Sequence, residues 1–511
     1  MLRRDLLKGM VAFGGACALP TSAKVFNSSK PHQQKQLINA KQQFNQALEQ
    51  EPGLVGFANI EANFAPSKLK LEGKVPEDLK GVFYRNGPGK HERGDIRYQH
   101  LFEGDGMVQR FEIGNGEIHH FGRFLETAKY LEEEQAGAFL YAGPETKFTE
   151  KKAALTSDSV NVANINTLAV GNDLWALWEA GSASKIDPET LDYQGLINLG
   201  EGTRYQDSVK GLPFSAHPKV DPSGDIWNFG LNHTGHIVLY HLSAKGVLQK
   251  VKLVDTGYQG KMLHDFLTTE KHLLLILPSL QSKGGRTDRS QGFFSQINFD
   301  KNLPMRVMVI RKSDFSTVRE YELPPGFVFH FGNAWEDKSG VIRFDASLYP
   351  NIEVLQDMSN MMVGDLSQGH TNSKLALYEL HPNGKTKHFV SDIYSEFPKV
   401  FAHEQTQRSE KLYHISTLEN KIWNDTVCSY DLATGKQDTF CFGADFHVEE
   451  HIPIKPAHSK KAYLIGTALH VPSKRTCLNI FNAEAINQGP IARAWLPHHL
   501  PLGFHGCFVP S

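Results

Sequence analysis

The chain of 511 residues is long enough to bury a large core, and its 54 basic and 56 acidic residues leave a formal net charge of -2. That balance excludes the basic footprint a nucleic-acid partner requires. Five cysteines, Cys17, Cys428, Cys441, Cys477 and Cys507, form neither a CxxC pattern nor a disulfide framework, which excludes a thiolate-held zinc or iron–sulfur centre.

Residues 1–23 read as an export signal. Arg3 and Arg4, followed by Leu-Leu-Lys8, precede an apolar run to about residue 19 and a cleavage-like Thr21-Ser22-Ala23. The run is shorter than the roughly 20 residues that span a bilayer. The paired arginines resemble a twin-arginine signal, whose pathway carries folded proteins, so the expected destination is the periplasm. Residues 24–52, rich in Gln, Asn, Lys and Ser, read as a polar linker or a single polar helix without chemistry.

Residues 53–511 read as one all-β domain. From Phe57 on, short apolar segments alternate with turn chemistry, as in the Gly-Asn-Gly-Glu at 114–117, the Asp-Pro-Ser-Gly at 221–224 and the Asp-Leu-Ala-Thr-Gly-Lys at 431–436. So many hairpins are too many for one sandwich. Radial repetition of four-stranded blades of roughly 40 to 50 residues gives about seven of them, a β-propeller. Cys428 and Cys441 lie symmetrically about Thr434-Gly435, so a two-residue turn there would set them opposite each other, as a disulfide or as packed thiols.

Within that frame, four histidines occupy similar surroundings: His217 in FSAHPKVDP, His264 in KMLHDFLTTE, His330 in FVFHFGNAWED and His505 in LPLGFHGCF. Each follows apolar residues and precedes a polar or turn signal, as an inward side chain at a strand end does. His505, six residues from the terminus, stands where most chains fray. A shared metal is one of the few partners strong enough to hold such a tail. The blocks GVFYRNGP and HLFEGDGMV are dense in glycine, and their Arg85, Asn86 and Asp105 are expected to satisfy exposed backbone groups rather than to react.

The ordered blocks GVFYRNGP, HLFEGDGMV, SAHPKVDP, MLHDFLTTE, FHFGNAWE and LPLGFHG, spread over about residues 81–510, closely resemble the carotenoid cleavage oxygenases, or retinal pigment epithelium membrane protein family. The resemblance implies a seven-bladed β-propeller with a cap of loops and short helices over the metal axis, and a non-haem Fe(2+) held by His217, His264, His330 and His505. Neutral imidazoles suit ferrous iron and leave positions for O2. The same resemblance implies orienting glutamates: Glu179, Glu396 and a third, Glu450 or the adjacent Glu449. Two departures stand out. Ile165 occupies the place where many members carry a threonine near the open iron position, and Trp178 the place where stilbene-cleaving members carry a lysine.

These features imply an iron-dependent dioxygenase splitting a conjugated C=C bond of a carotenoid or apocarotenoid into two carbonyl products, with O2 and an apolar polyene as substrates and Trp178 at the substrate. Stilbene cleavage, a non-oxidative reaction and a metal-holding scaffold are the rivals. The apolar run at 136–142, after the acidic 132–134, is expected either to dip the tunnel mouth into a membrane or to pack a loop onto the cap.

Overall fold

Segments such as His272–Leu277 (HLLLIL) and Met305–Arg311 (MRVMVIR) are buried almost throughout, as central strands packed on both faces must be. Thr386–Tyr394, on the outer edge of its sheet, is mostly exposed. The computed structural model describes residues 30–148, 151–206, 208–232, 235–282, 291–368 and 370–511. The expected export signal lies outside these residues.

The strands form a seven-bladed β-propeller of antiparallel sheets. Blade 1 runs from Phe64–Lys68 at its outer edge through Glu117–Phe124, Asp105–Gly114 and Gly81–Lys90 to Gly506–Pro510. Blades 2 to 6 follow in chain order, with inner strands Asn166–Val170, Lys219–Val220, Leu267–Thr268, Phe327–Val328 and Glu396–Lys399. Blade 7 has Phe446–Ile454 innermost and Lys70–Gly73 outermost. The two chain ends thus close the ring. The C-terminal strand pairs with blade 1 in the register Gly81↔Pro510, and the early strand pairs with blade 7 as Lys70↔Trp495. Full closure leaves only short blade edges exposed.

The Gly-Asn-Gly-Glu turn forms as its sequence dictates: Asn115 and Gly116 both have positive φ (53° and 78°), the two-residue geometry that matches strand twist. The cysteine hairpin differs. Asp431 and Lys436 close a longer loop, with Gly435 at φ 72°, so Cys428 faces Thr439 and Cys441 faces Thr426. The two cysteines are therefore offset rather than opposite, and both thiols are free.

Three helices, α1 (Lys30–Gln50), α2 (Ala128–Ala136) and α3 (Glu353–Val363), belong to the cap. The polar α1 is more than a linker, because it buries Ala40 and Phe44. The Phe44 ring lies 3.4 Å from the Arg97 guanidinium, which also donates to the carbonyls of Phe57 and Met362. Thr127 caps α2 through Tyr130 N, and Gly137 ends it in the left-handed conformation. Under α2, Arg93 and Lys129 meet Asp105 and Glu133 in a buried network. Asp105 therefore holds two cations instead of capping backbone groups. Phe139 completes this layer: it is 1% exposed, sits 4.0 Å from the Tyr98 ring and has Arg93 and Lys129 over its faces. The run at 136–142 accordingly packs the cap, and Phe139 cannot reach a membrane.

Candidate metal centre

Every blade contributes one residue to a single constellation on the axis. His217, His264, His330 and His505 come from the inner ends of blades 3, 4, 5 and 1, each within three residues of an inner strand. Glu179 follows the second strand of blade 2, Glu396 opens the inner strand of blade 6, and Glu450 lies within that of blade 7. The four histidines are buried, and their candidate ligand atoms all lie within 4.8 Å of one another.

The carboxylates fix the tautomers. His264 Nδ1 is 3.1 Å from Glu179, His330 Nδ1 2.5 Å from Glu396, and His505 Nδ1 2.8 Å from Glu450. An imidazole that donates from Nδ1 to a carboxylate presents a bare lone pair at Nε2. His217 Nε2 and His264 Nε2 stand 2.9 Å apart, and His330 Nε2 is buried without a hydrogen-bond partner among the described residues. Three Nε2 atoms freed of their protons in this way, converging with the His217 ring in a buried site, suit a cation. The donor set of four neutral imidazoles fits a first-row transition ion.

Each carboxylate is held in turn. Glu396 also accepts from Tyr349 Oη at 2.7 Å and from the Phe397 amide. Glu450 accepts from Gly506 N and pairs with Lys399 Nζ at 2.9 Å. Burial opposes the Glu450 charge, but Lys399 and His505 outweigh it and hold its carboxyl at about 2. Glu449 plays no such part. It takes Arg85, Thr467 Oγ1 and Gly503 N, which settles Glu450 as the carboxylate facing His505.

The terminal segment is fastened residue by residue. Arg85 donates to the Pro501 carbonyl, Leu502 N to the Gly56 carbonyl, and Phe504 N to Asn86 O. Asn86 N binds the His505 carbonyl, while its side-chain amide spans Ala163 O and Asn166 O. The Arg85-Asn86 pair is architectural, as expected, and the structure it builds is the seat of His505. A further tie joins three ligand loops: Asp265 takes Lys219 Nζ at 2.8 Å and Phe331 N at 3.1 Å, so residues adjacent to His217, His264 and His330 are linked. Neither the Glu449 nor the Asp265 link has a local sequence signal.

Two cavities adjoin this centre. One reaches His264, His330 and His505 between Phe102, Phe329, Met361, Trp423 and Phe504. The other is lined by Trp178, Glu179, Phe293, Phe294 and Met262. Phe102 and Ile165 line both. Ile165 stands just before the inner strand of blade 2, at a place comparable to the ligand histidines of blades 1, 3 and 4, and a buried alkyl group lines both cavities there.

Protonation separates the arms. Burial lowers His217 well below the usual histidine range and takes His505 to about 3 despite Glu450. For His264 burial works in the same direction, but the Glu179 charge outweighs it and raises the ring above 6.5. His264 is thus the arm that holds a proton longest. Metal must displace it, so affinity is expected to fall about tenfold per pH unit below the His264 pKa. Replacing Glu179 with Gln lowers that pKa, moving the acid loss to lower pH while weakening binding roughly 10-fold at pH about 8. Chelator competition across pH checks this, and superimposable curves for the two proteins would exclude Glu179 as the control.

A family model described as retinal pigment epithelial membrane protein matches residues 57–510. Among curated relatives, the apocarotenoid-15,15'-oxygenase of Synechocystis is 27% identical, over 86% of this chain and 92% of its own length. A carotenoid 9,10(9',10')-cleavage dioxygenase 1 of Pisum sativum is 25% identical over 88% and 89%. The lignostilbene-alpha,beta-dioxygenase isozyme III of Sphingomonas paucimobilis is 26% identical over 86% and 92%. The crystal structure of cobalt-substituted Synechocystis ACO superposes with a TM-score of 0.80 at 24% identity, covering 90% of this chain and 99% of that one.

Proposed function

The chain belongs to the retinal pigment epithelial membrane protein family, and on that premise we propose that it is a non-haem iron dioxygenase cleaving a conjugated C=C bond of a carotenoid or apocarotenoid into two carbonyl products. The observation that carries this reading is the convergence of four buried imidazoles beside an aromatic-lined cavity that reaches three of them. Fe(2+) held by His217, His264, His330 and His505 supplies a centre for binding and activating O2.

The chain's own residues do the rest. Glu179, Glu396 and Glu450 keep the Nδ1 of His264, His330 and His505 protonated and the Nε2 of these three aimed inward. Phe102, Phe329, Phe504 and Trp178 offer faces to a flat polyene and exclude water from the reacting bond. Ile165 gives the open side of the centre an apolar wall with no hydroxyl to bind. Register along the polyene follows from cavity depth on either side of Phe102, since apolar contacts discriminate weakly between similar carbons. Trp178 cannot bind a phenol oxygen as an ammonium does, which favours a carotenoid over a stilbene. The sequence of residues 1–23 supports export to the periplasm through a twin-arginine signal. Peripheral membrane contact would fall to other apolar side chains of the same region, such as the exposed Leu131 and Leu155.

The test is oxygen uptake by iron-loaded protein given an apocarotenal or a stilbene, with products identified by mass. One O2 consumed per apocarotenal, with two carbonyl products, is expected. Uptake with the stilbene alone, or full activity in protein holding stoichiometric zinc and no iron, would overturn it.

A further inference from the structure

The three orienting carboxylates have unlike surroundings. Glu179 is partly exposed and spends both oxygens on His264 Nδ1, at 3.1 and 3.2 Å. Glu396 is buried and shares its charge with a neutral tyrosine hydroxyl and an amide. Among the described residues Glu450 alone of the three is seen paired with an ammonium: its Oε1 is 2.8 Å from His505 Nδ1 and 2.9 Å from Lys399 Nζ. The ammonium and the imidazole N–H compete for one oxygen, while Gly506 N occupies the other at 3.0 Å. Lys399 lies on the inner strand of blade 6, three residues beyond Glu396, so one strand serves two arms of the centre.

We propose that Lys399 is a positioning residue that matches the charge of this centre to a divalent ion, an inference that rests on the metal reading above. Two pairs of buried charges beside the ligand loops cancel, Arg85 with Glu449 and Lys219 with Asp265, and burial pushes the carboxyl of Asp345, which takes the Gly332 and Asn333 amides, up to about 7. The three carboxylates that touch ligand histidines and the one ammonium that touches Glu450 leave a surplus of two negative charges. A 2+ ion neutralises that surplus and a 3+ ion exceeds it. In a buried site an unbalanced charge is expensive, so Lys399 favours the ferrous over the ferric ion. It acts through Glu450: by drawing charge from the shared oxygen it weakens the hydrogen bond that would make His505 a more electron-rich donor, which ferric iron prefers. Lys399 is 31% exposed, so its effect is damped by solvent but not abolished.

The measurement is the one-electron Fe(III)/Fe(II) midpoint potential of the full-length, iron-loaded protein, the electron being exchanged with a soluble mediator. Fe(II) affinity is read in parallel by chelator competition. In Lys399→Met the ferric-to-ferrous affinity ratio is expected to rise about tenfold, which lowers the potential by about 59 mV. Lys399→Arg, keeping the charge, should stay within about twofold of the parent on the same scale. An unchanged potential in iron-bound Lys399→Met, or an equal shift in Lys399→Arg, overturns the role of Lys399. Failure of the parent protein to bind iron would instead overturn the metal reading on which it rests.

Discussion

Replacing any one of His217, His264, His330 or His505 with alanine is expected to strip the protein of iron and abolish oxygen uptake. The loss of affinity should exceed the about 10- to 100-fold that follows removal of an orienting carboxylate, because a donor atom disappears and not merely its orientation. The blades do not depend on the metal for their core: Leu273, Leu275, Met308 and Ile310 of blade 4 pack with Phe327 and Phe329 of blade 5. Metal-free variants should therefore melt close to the metal-free parent. Elemental analysis after dialysis decides the matter residue by residue. A variant that retains one iron per chain identifies a histidine that is not a ligand.

The second large effect is one of stability. Glu449 and Arg85 are both nearly fully buried, 6% and 4% exposed, and they face each other with Thr467 Oγ1 and Gly503 N on the carboxylate and the Pro501 carbonyl on the guanidinium. Burial lowers Arg85 to about 9, with an opposing effect of Glu450, so at neutral pH the guanidinium stays charged. Truncating either partner strands the other as an uncompensated buried charge, at a cost of about 3 to 5 kcal/mol. Arg85→Ala and Glu449→Ala should each lower the urea midpoint accordingly. The double replacement Arg85→Met, Glu449→Leu should cost less than the sum of the two, since it leaves no unpaired charge. Because the same pair clamps residues 501–503, iron affinity should fall with stability in the single variants. A change below about 1 kcal/mol in both would mean the pair is solvated in solution and bears little load.

What the sequence determined by itself was whatever depends on neighbouring residues. Asn115-Gly116 turns tightly because both residues tolerate positive φ. The short apolar segments become strands, and their number requires a closed ring of blades. The four histidines could be singled out because each stands where an apolar segment meets a turn. Their joint assignment to a metal, with Glu179 and Glu396, came from the ordered motifs of a family.

The rest was decided by contacts across the ring. Arg85 and Glu449 are 364 residues apart, and nothing near either residue tells that Glu449 takes the guanidinium while Glu450 turns to His505. Alternation along the strand does not separate them, because register shifts between Val448 and His451, a bulge at which both glutamates stay buried. Phe139 sits in an apolar run that suits a membrane as well as a core, and the cations of Arg93, beneath α2, and Lys129, on it, draw it inward. Cys428 and Cys441 look symmetric about a glycine, yet the loop length sets the register and moves them out of opposition. Lys399 gains its meaning from blade 7, whose Glu450 reaches the ammonium and His505 at once. Such partnerships depend on the order and twist of whole blades, which no local pattern encodes.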